Sequence, residues 1–185
     1  GSCSARSNTL YGVLCNCSAG AYSDRPDIPK CTPCTAGTYG PTPDATKSTQ
    51  CLPCPAGEIT ATEGLPQCTP CAAGTFGLNE GLAQCTPCAA GTYGPTPGAT
   101  GATNCILCPA GQWSFASAAS CTDCPAGRYL SDPGTAPNLH NSLTKCSICK
   151  TGTWSLAAAA ACTDCPAGRY LADPGTTANL HDSAE

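Results

Sequence analysis

The chain is short of almost everything that builds an ordinary globular core. It contains no Met, two Phe and two Trp, and aromatics make up only 5% of its 185 residues. The 41% of hydrophobic residues is inflated by Cys and Ala, so one large core of packed side chains is excluded. Charge is equally thin at 11%, with a net charge of -4 and eight Lys and Arg scattered singly. Without a basic stripe to neutralise phosphates, nucleic acid is not an expected partner. No apolar run approaches the roughly 20 residues that span a bilayer, so no membrane span is expected in this segment. There is also no initiating Met or signal-like apolar region. The chain reads as a mature fragment or a piece of an ectodomain.

What is abundant is Cys, 19 residues, together with 20 Gly and 18 Pro. Cysteine above roughly 8 to 10% in a short chain marks a disulfide scaffold, and disulfides persist in oxidising compartments. An extracellular or cell-surface location follows.

A repeat organises these cysteines. The motif is C-x-A-G-x-aromatic, a variable polar stretch, then a closing Cys, and it opens at Cys17, Cys34, Cys54, Cys71, Cys88, Cys108, Cys124, Cys149 and Cys165. A Gly stands three residues after every opening Cys, from Gly20 to Gly168. It is expected to supply a positive φ or a close backbone approach. Two residues further on stand Tyr22, Tyr39, Ile59, Phe76, Tyr93, Trp113, Tyr129, Trp154 and Tyr170. Such rings are expected to cover the disulfide of their own or the adjacent module; a row of exposed rings for stacking a sugar or other ligand is the sharper alternative.

A longer period overlies the short one. The stretch beginning "CPAGQWSFASAASCTDCPAGRYL" at Cys108 returns at Cys149 after 41 residues, aligning Trp113 with Trp154 and His140 with His181. The chain therefore divides into an N-terminal partial module (1–16), five cysteine-rich modules (17–107), and two double modules spaced by 41 residues (108–185), the last incomplete. Short segments broken by Gly and Pro predict turns and β-bridges of two to four residues. The Ala run before Cys162 is too short for a stable helix and is expected to be extended or a single turn.

C-x-x-C pairs at intervals of this kind also occur in zinc ribbons. Here eight such pairs follow one another without the breaks that separate four-ligand clusters, and the two His lie inside loops rather than at ligand spacing. A thioredoxin-type redox centre needs C-x-x-C at the strand-to-helix turn of a βαβ unit, which the pattern lacks. No metal and no cofactor are expected. If instead each opening Cys bonds to the next Cys in the chain, the pairs are Cys17–Cys31, Cys34–Cys51, Cys54–Cys68, Cys71–Cys85, Cys88–Cys105, Cys108–Cys121, Cys124–Cys146 and Cys149–Cys162, with Cys3–Cys15 at the start. Cys165 is left over. By the 41-residue repeat its closing partner falls two residues past Glu185, which makes the chain a piece of a longer array; a bond between subunits is the alternative.

The motif C-x-A-G-x-Y followed by C-x-x-C, as in "CTAGTYG" at Cys34 and "CPAGRY" at Cys124, resembles ephrin-receptor-like and tumour-necrosis-factor-receptor-like cysteine-rich repeats. The resemblance implies a small disulfide-rich repeat array, an elongated rod of one-disulfide modules with little regular secondary structure. It also implies that the first Cys of each C-x-x-C closes one module and the second opens the next. Uninterrupted arrays rich in Ala, Gly, Thr and Pro are similar, too, to surface and flagellar-hair proteins of protists and algae, and that likeness implies a structural or coat role.

No catalytic residues are expected. His140 and His181, with Asp132 and Asp173 upstream, are explained by loop duplication, and Asp24 with Asp27 is too sparse for a calcium ion wanting six to eight oxygens. Thr42 and Thr96 between prolines, and Asn16 in the sequon Asn16-Cys17-Ser18, are candidate glycosylation sites. The functional expectation is an extracellular structural protein, a stalk, filament or cell-coat subunit carrying glycans, whose partners are copies of itself or other extracellular structural proteins. A receptor or adhesion ectodomain that binds a protein ligand is the alternative.

Overall fold

The computed structural model describes residues 4–8, 12–24, 30–168, 177 and 181. It is a disulfide-rich repeat array with little regular secondary structure. Each repeat is a hairpin of two-residue antiparallel strands: the dipeptide ending in the ring residue pairs with the dipeptide inside the following C-x-x-C. Thus Ala21–Tyr22 pairs with Thr32–Pro33, Thr38–Tyr39 with Leu52–Pro53, Glu58–Ile59 with Thr69–Pro70, and Thr75–Phe76 with Thr86–Pro87. Thr92–Tyr93 pairs with Ile106–Leu107, Gln112–Trp113 with Thr122–Asp123, Arg128–Tyr129 with Ser147–Ile148, and Thr153–Trp154 with Thr163–Asp164. A longer hairpin precedes them, with Ser4–Asn8 against Gly12–Asn16 in five-residue strands, beyond the two to four expected from the repeat. The Gly and Pro that interrupt the later segments are absent from Ser4–Asn8, and Gly12 stands only at the end of its strand. Among the described residues there is no α-helix, only short 3-10 turns such as Ser48–Gln50 and Leu143–Lys145.

Proline inside these strands follows from the ladder. The opening Cys34 donates its N–H to Gly20 O at 2.8 Å, so Gly20 and Cys34 form the hydrogen-bonded pair and Ala21 opposite Pro33 the non-hydrogen-bonded one. The N–H that Pro33 lacks would have pointed away from the partner strand. Cys54 with Gly37, and Cys71 with Gly57, repeat the bond and leave Pro53 and Pro70 in the same harmless place.

A disulfide closes each of the eight two-residue hairpins. The bonds are Cys17–Cys31, Cys34–Cys51, Cys54–Cys68, Cys71–Cys85, Cys88–Cys105, Cys108–Cys121, Cys124–Cys146 and Cys149–Cys162. The pair Cys3–Cys15 lies outside the described residues, since Cys3 and the Cys15 side chain are not among them. All eight opening cysteines from Cys17 to Cys149 are buried, and they make up most of the apolar interior. Where a ring joins them, it does so across a junction: Trp113 of the sixth module clusters with Leu130 and with Cys124 and Cys146, the disulfide of the seventh.

By backbone proximity the chain forms two units, one of Gly1–Ala72, Phe76–Thr86 and Pro97–Ala102, the other of Ala73–Thr75, Pro87–Thr96 and Thr103–Glu185. Within each, the same backbone bonds join consecutive modules. The turn Gly donates to the carbonyl that follows the next module's ring: Gly20 N–H to Gly40 O (2.8 Å) and Gly57 to Gly77 (2.9 Å) in the first unit, Gly74 to Gly94 (2.7 Å) and Gly111 to Leu130 (2.8 Å) in the second. A loop N–H returns to the previous module's opening Cys, as Gly64 to Cys34 O (2.8 Å) and Ala158 to Cys124 O (2.9 Å). Thr60, Ser114 and Ser155, each next after its ring position, also point a hydroxyl back, Thr60 Oγ1 to Thr38 O at 3.1 Å, Ser114 Oγ to Thr92 O and Ser155 Oγ to Arg128 O at 2.9 Å.

Modules two apart also touch. A Cβ built on Gly20, Gly37 or Gly57 would overlap the carbonyl oxygen of Gly64, Gly81 or Gly98, and in the second unit one on Gly74, Gly91 or Gly111 would overlap that of Ser117, Pro137 or Ala158. Glycine is required at Gly111 for this reason as well as for its φ of 77°. The loop residues on the other side of most of these contacts are left-handed too. Gly fills the place at Gly64, Gly81 and Gly98, but Asp44 (φ 57°), Ser117 (φ 63°) and Ala158 (φ 60°) hold it with a Cβ. The Ala run is accordingly a turn, with Ala159 bridging to Tyr129.

Reduction should unfold the array, and replacing Cys54 and Cys68 together by Ser should cost about 3 kcal/mol, the loop-closure value for a ring of this size, read as a lower denaturation midpoint. Ala158→Gly should stabilise by about 0.5–1 kcal/mol, since relief of the left-handed strain outweighs the added chain entropy. Gly111→Ala should cost about 3 kcal/mol from strain and overpacking together.

Candidate functional site

The residues that bear chemistry converge at one place, the junction of the sixth and seventh modules. The seventh disulfide spans 22 residues against 13 to 17 for the other seven, and the extra length carries His140 into the interior. The imidazole is completely buried. Its Nδ1 lies 2.7 Å from Gln112 O and its Nε2 lies 2.8 Å from Asp132 Oδ2. A carbonyl oxygen only accepts, so Nδ1 carries the hydrogen there. The His140 carbonyl in turn accepts the Ser114 N–H at 2.9 Å, and the one residue therefore grips the backbone on both sides of Trp113.

Asp132 is oriented by its own turn. Oδ2 accepts the N–H groups of Gly134 (3.0 Å) and Thr135 (2.8 Å), and Oδ1 accepts the Thr135 hydroxyl at 2.6 Å. These bonds, the Thr135 hydroxyl foremost, then the Thr135 N–H, and further His140 and the Gly134 N–H, hold the carboxyl well below the usual carboxylate range against an opposing desolvation effect. The sequence "DPGT" is a side-chain-to-backbone turn of the kind Asp favours, and eight residues separate its carboxylate from the ring it meets.

The clamp recurs. His181 is completely buried, its Nδ1 lies 2.7 Å from Thr153 O, and its carbonyl accepts the Ser155 N–H at 2.8 Å, which brackets Trp154 as His140 brackets Trp113. Asp173 lies outside the described residues. At His140, with both ring nitrogens engaged and no exposed surface, the imidazole positions backbone.

The ring register serves packing first. Trp113 is buried with Phe115 edge-on at 4.8 Å, and the indole N–H groups of Trp113 and Trp154 are both buried without a hydrogen-bond partner, so these rings work as apolar filler. The other described ring residues are half-buried. Equivalent shallow grooves open beside two of them, about 200 Å³ next to Tyr22, Thr35 and Thr38 and about 250 Å³ next to Tyr129, Lys150 and Thr153.

The remaining candidates are separate from the clamp. Thr42 and Thr96 occupy equivalent exposed bends two residues ahead of the left-handed Asp44 and Gly98. Asn16 ends the longer hairpin, half-exposed, beside the disulfide-bonded Cys17. Cys165 is a half-buried free thiol whose N–H donates to Gly152 O at 2.9 Å. Asp24 is exposed, while Asp27 lies outside the described residues. Each C-x-x-C pair from Cys31/Cys34 to Cys146/Cys149 is split between two disulfides, so the two sulfurs of a pair never act together. The clamp itself was not apparent from the sequence; the coincidence of "DPGT" with "NLH" in both long modules was the signal.

Residues 57–105, from the turn Gly of the third module to the closing Cys of the fifth, match the family described as tyrosine-protein kinase ephrin type A/B receptor-like. Over that stretch the chain is similar to ephrin-receptor-like cysteine-rich repeats. The repeats and the disulfides mark an extracellular or secreted domain, and the matched family is a receptor-like one rather than an enzyme family. No curated protein matches the chain. No helix among the described residues is long and apolar enough to cross a membrane.

The clamp makes a pH prediction. Asp132 is depressed in the folded state, so its stabilising share is present above the ordinary carboxylate range and fades as pH falls through it. Asp132→Asn should therefore lower the melting temperature at pH 7 and make progressively less difference in melts taken toward pH 2.

Proposed function

We propose that the chain is an extracellular structural element, a stalk, filament or cell-coat subunit that bears glycans and is built by adding modules. The observation that carries this reading is the recurrence of one set of junction bonds, turn Gly to the carbonyl after the next ring and loop N–H to the previous opening Cys, within each unit. Stability in such an array is close to a sum over contacts between modules, here those between consecutive and alternate ones. The exposed Thr42 and Thr96 between prolines support O-linked glycosylation, and Asn16 is a further candidate.

A receptor or adhesion ectodomain is the second reading, favoured by the match of residues 57–105 to receptor-like repeats. The loops bear on the choice. A face for one particular protein ligand needs charged or aromatic insertions peculiar to one module, whereas the segments 115–120 and 156–161 repeat the same uncharged character.

Electron microscopy of the purified oxidised protein separates the two: filaments or side-by-side arrays are expected, and dispersed monomers that capture a soluble protein in fixed ratio would overturn the structural reading. Intact-mass measurement of the native material should show glycan mass that is lost in a Thr42→Ala, Thr96→Ala double variant.

A further inference from the structure

In the second unit the contacts between alternate modules sort the loops into two rows. The tip of the sixth module's loop, Ser117, sits on Gly74, and that of the eighth, Ala158, sits on Gly111 of the sixth; the seventh module's Pro137 sits on Gly91 of the fifth. The rows differ in chemistry at one register, two residues after the ring. The sixth and eighth modules place Phe115 and Leu156 there, 66% and 65% exposed, whereas the fifth and seventh place Pro95 and Ser131. Behind Phe115 and Leu156 the loops continue as Ala116–Ser120 and Ala157–Ala161 without a charged residue, and all but Ala118 and Ala159 are exposed. The seventh module's loop, by contrast, carries Asp132 and Lys145. Leu78 of the fourth module holds the same register at 63% exposure, in a loop that includes Glu80.

We propose that the loops 115–120 and 156–161 form the face on which a second copy of this chain packs. This rests on the structural reading above. Exposed apolar patches of this kind mark interaction sites, and two features select a copy of the same chain as the occupant. The loops recur after 41 residues, so one copy presents the same interval between Phe115 and Leu156 as the other. Each loop also joins one large side chain to a turn of small Ala and Ser side chains, against which the Phe115 or Leu156 of a second copy packs. Every copy carries a net charge of -4, and the uncharged loops are where two copies approach without repulsion.

The test is sedimentation velocity of the full oxidised chain over a concentration series, against Phe115→Ser with Leu156→Ser, Leu156→Ser alone, and Leu52→Ser as an exposed control in a joint dipeptide. The Leu156 variant leaves the Trp113–Phe115 pair untouched, and unreduced mass verifies that the disulfides have formed. Association of the wild type, weakened about tenfold or more in the double variant, measurably in Leu156→Ser and unchanged in Leu52→Ser, is expected. Equal association of wild type and double variant would overturn the face while leaving the structural reading standing. A wild type that stays monomeric throughout, or that adheres only to added lipid vesicles, would overturn both.

Discussion

A hairpin with two residues in each strand cannot hold itself together in water, and the disulfide at its base is what every other contact here depends on. Two-stranded hairpins are marginal even when longer, and a chain with 5% aromatics has little burial to set against the entropy of ordering. Closing a loop of 13 to 17 residues removes a large part of that entropy in advance. The opening Cys of each bond is buried, with its partner too at Cys31 and Cys146, and so the cross-link also serves as the apolar filling around which the module is arranged.

Once the hairpins are held, their junctions are made by backbone. The turn glycine donates forward, the loop donates back to the opening Cys, and a glycine Cα two modules away lies against the loop carbonyl. Backbone donors and acceptors are present in every residue, which leaves the loop free to vary in sequence and length. Most loops keep a left-handed residue at the tip, and three modules accept Asp44, Ser117 or Ala158 there at some cost in strain, while the seventh sets Pro137 against Gly91 instead. Proline in the joint follows the same economy, since it stands where the ladder asks for no N–H.

The seventh module shows how a longer loop is accommodated. Its left-handed Gly134 gives its N–H to the Asp132 carboxylate rather than to the preceding opening Cys, and the backbone on either side of Trp113 is held by His140. A side-chain network thus replaces part of the backbone register where extra residues would have disturbed it. The same replacement at His181 and Thr153 explains why the period of 41 residues covers two modules: the Trp module and the His module after it are joined by the clamp.

The architecture was legible in the sequence because a disulfide-rich module needs a few residue types at fixed intervals: Cys at its ends, Gly in the turn and a ring two residues later. Residue chemistry alone implied short bridges and turns, and the array has them. The tertiary structure decided three other matters: the contact between alternate modules, the meeting of His140 with Asp132, and the division of the second unit's loops into an apolar and a polar row. The alternate-module contact, as between Gly20 and Gly64, is made by backbone atoms and leaves no side-chain signature beyond a glycine already accounted for by its turn. The repeated "DPGT" and "NLH" marked the residues of the clamp, but their meeting and the two rows depend on which loop lies above which turn, a consequence of how each hairpin stacks on the last.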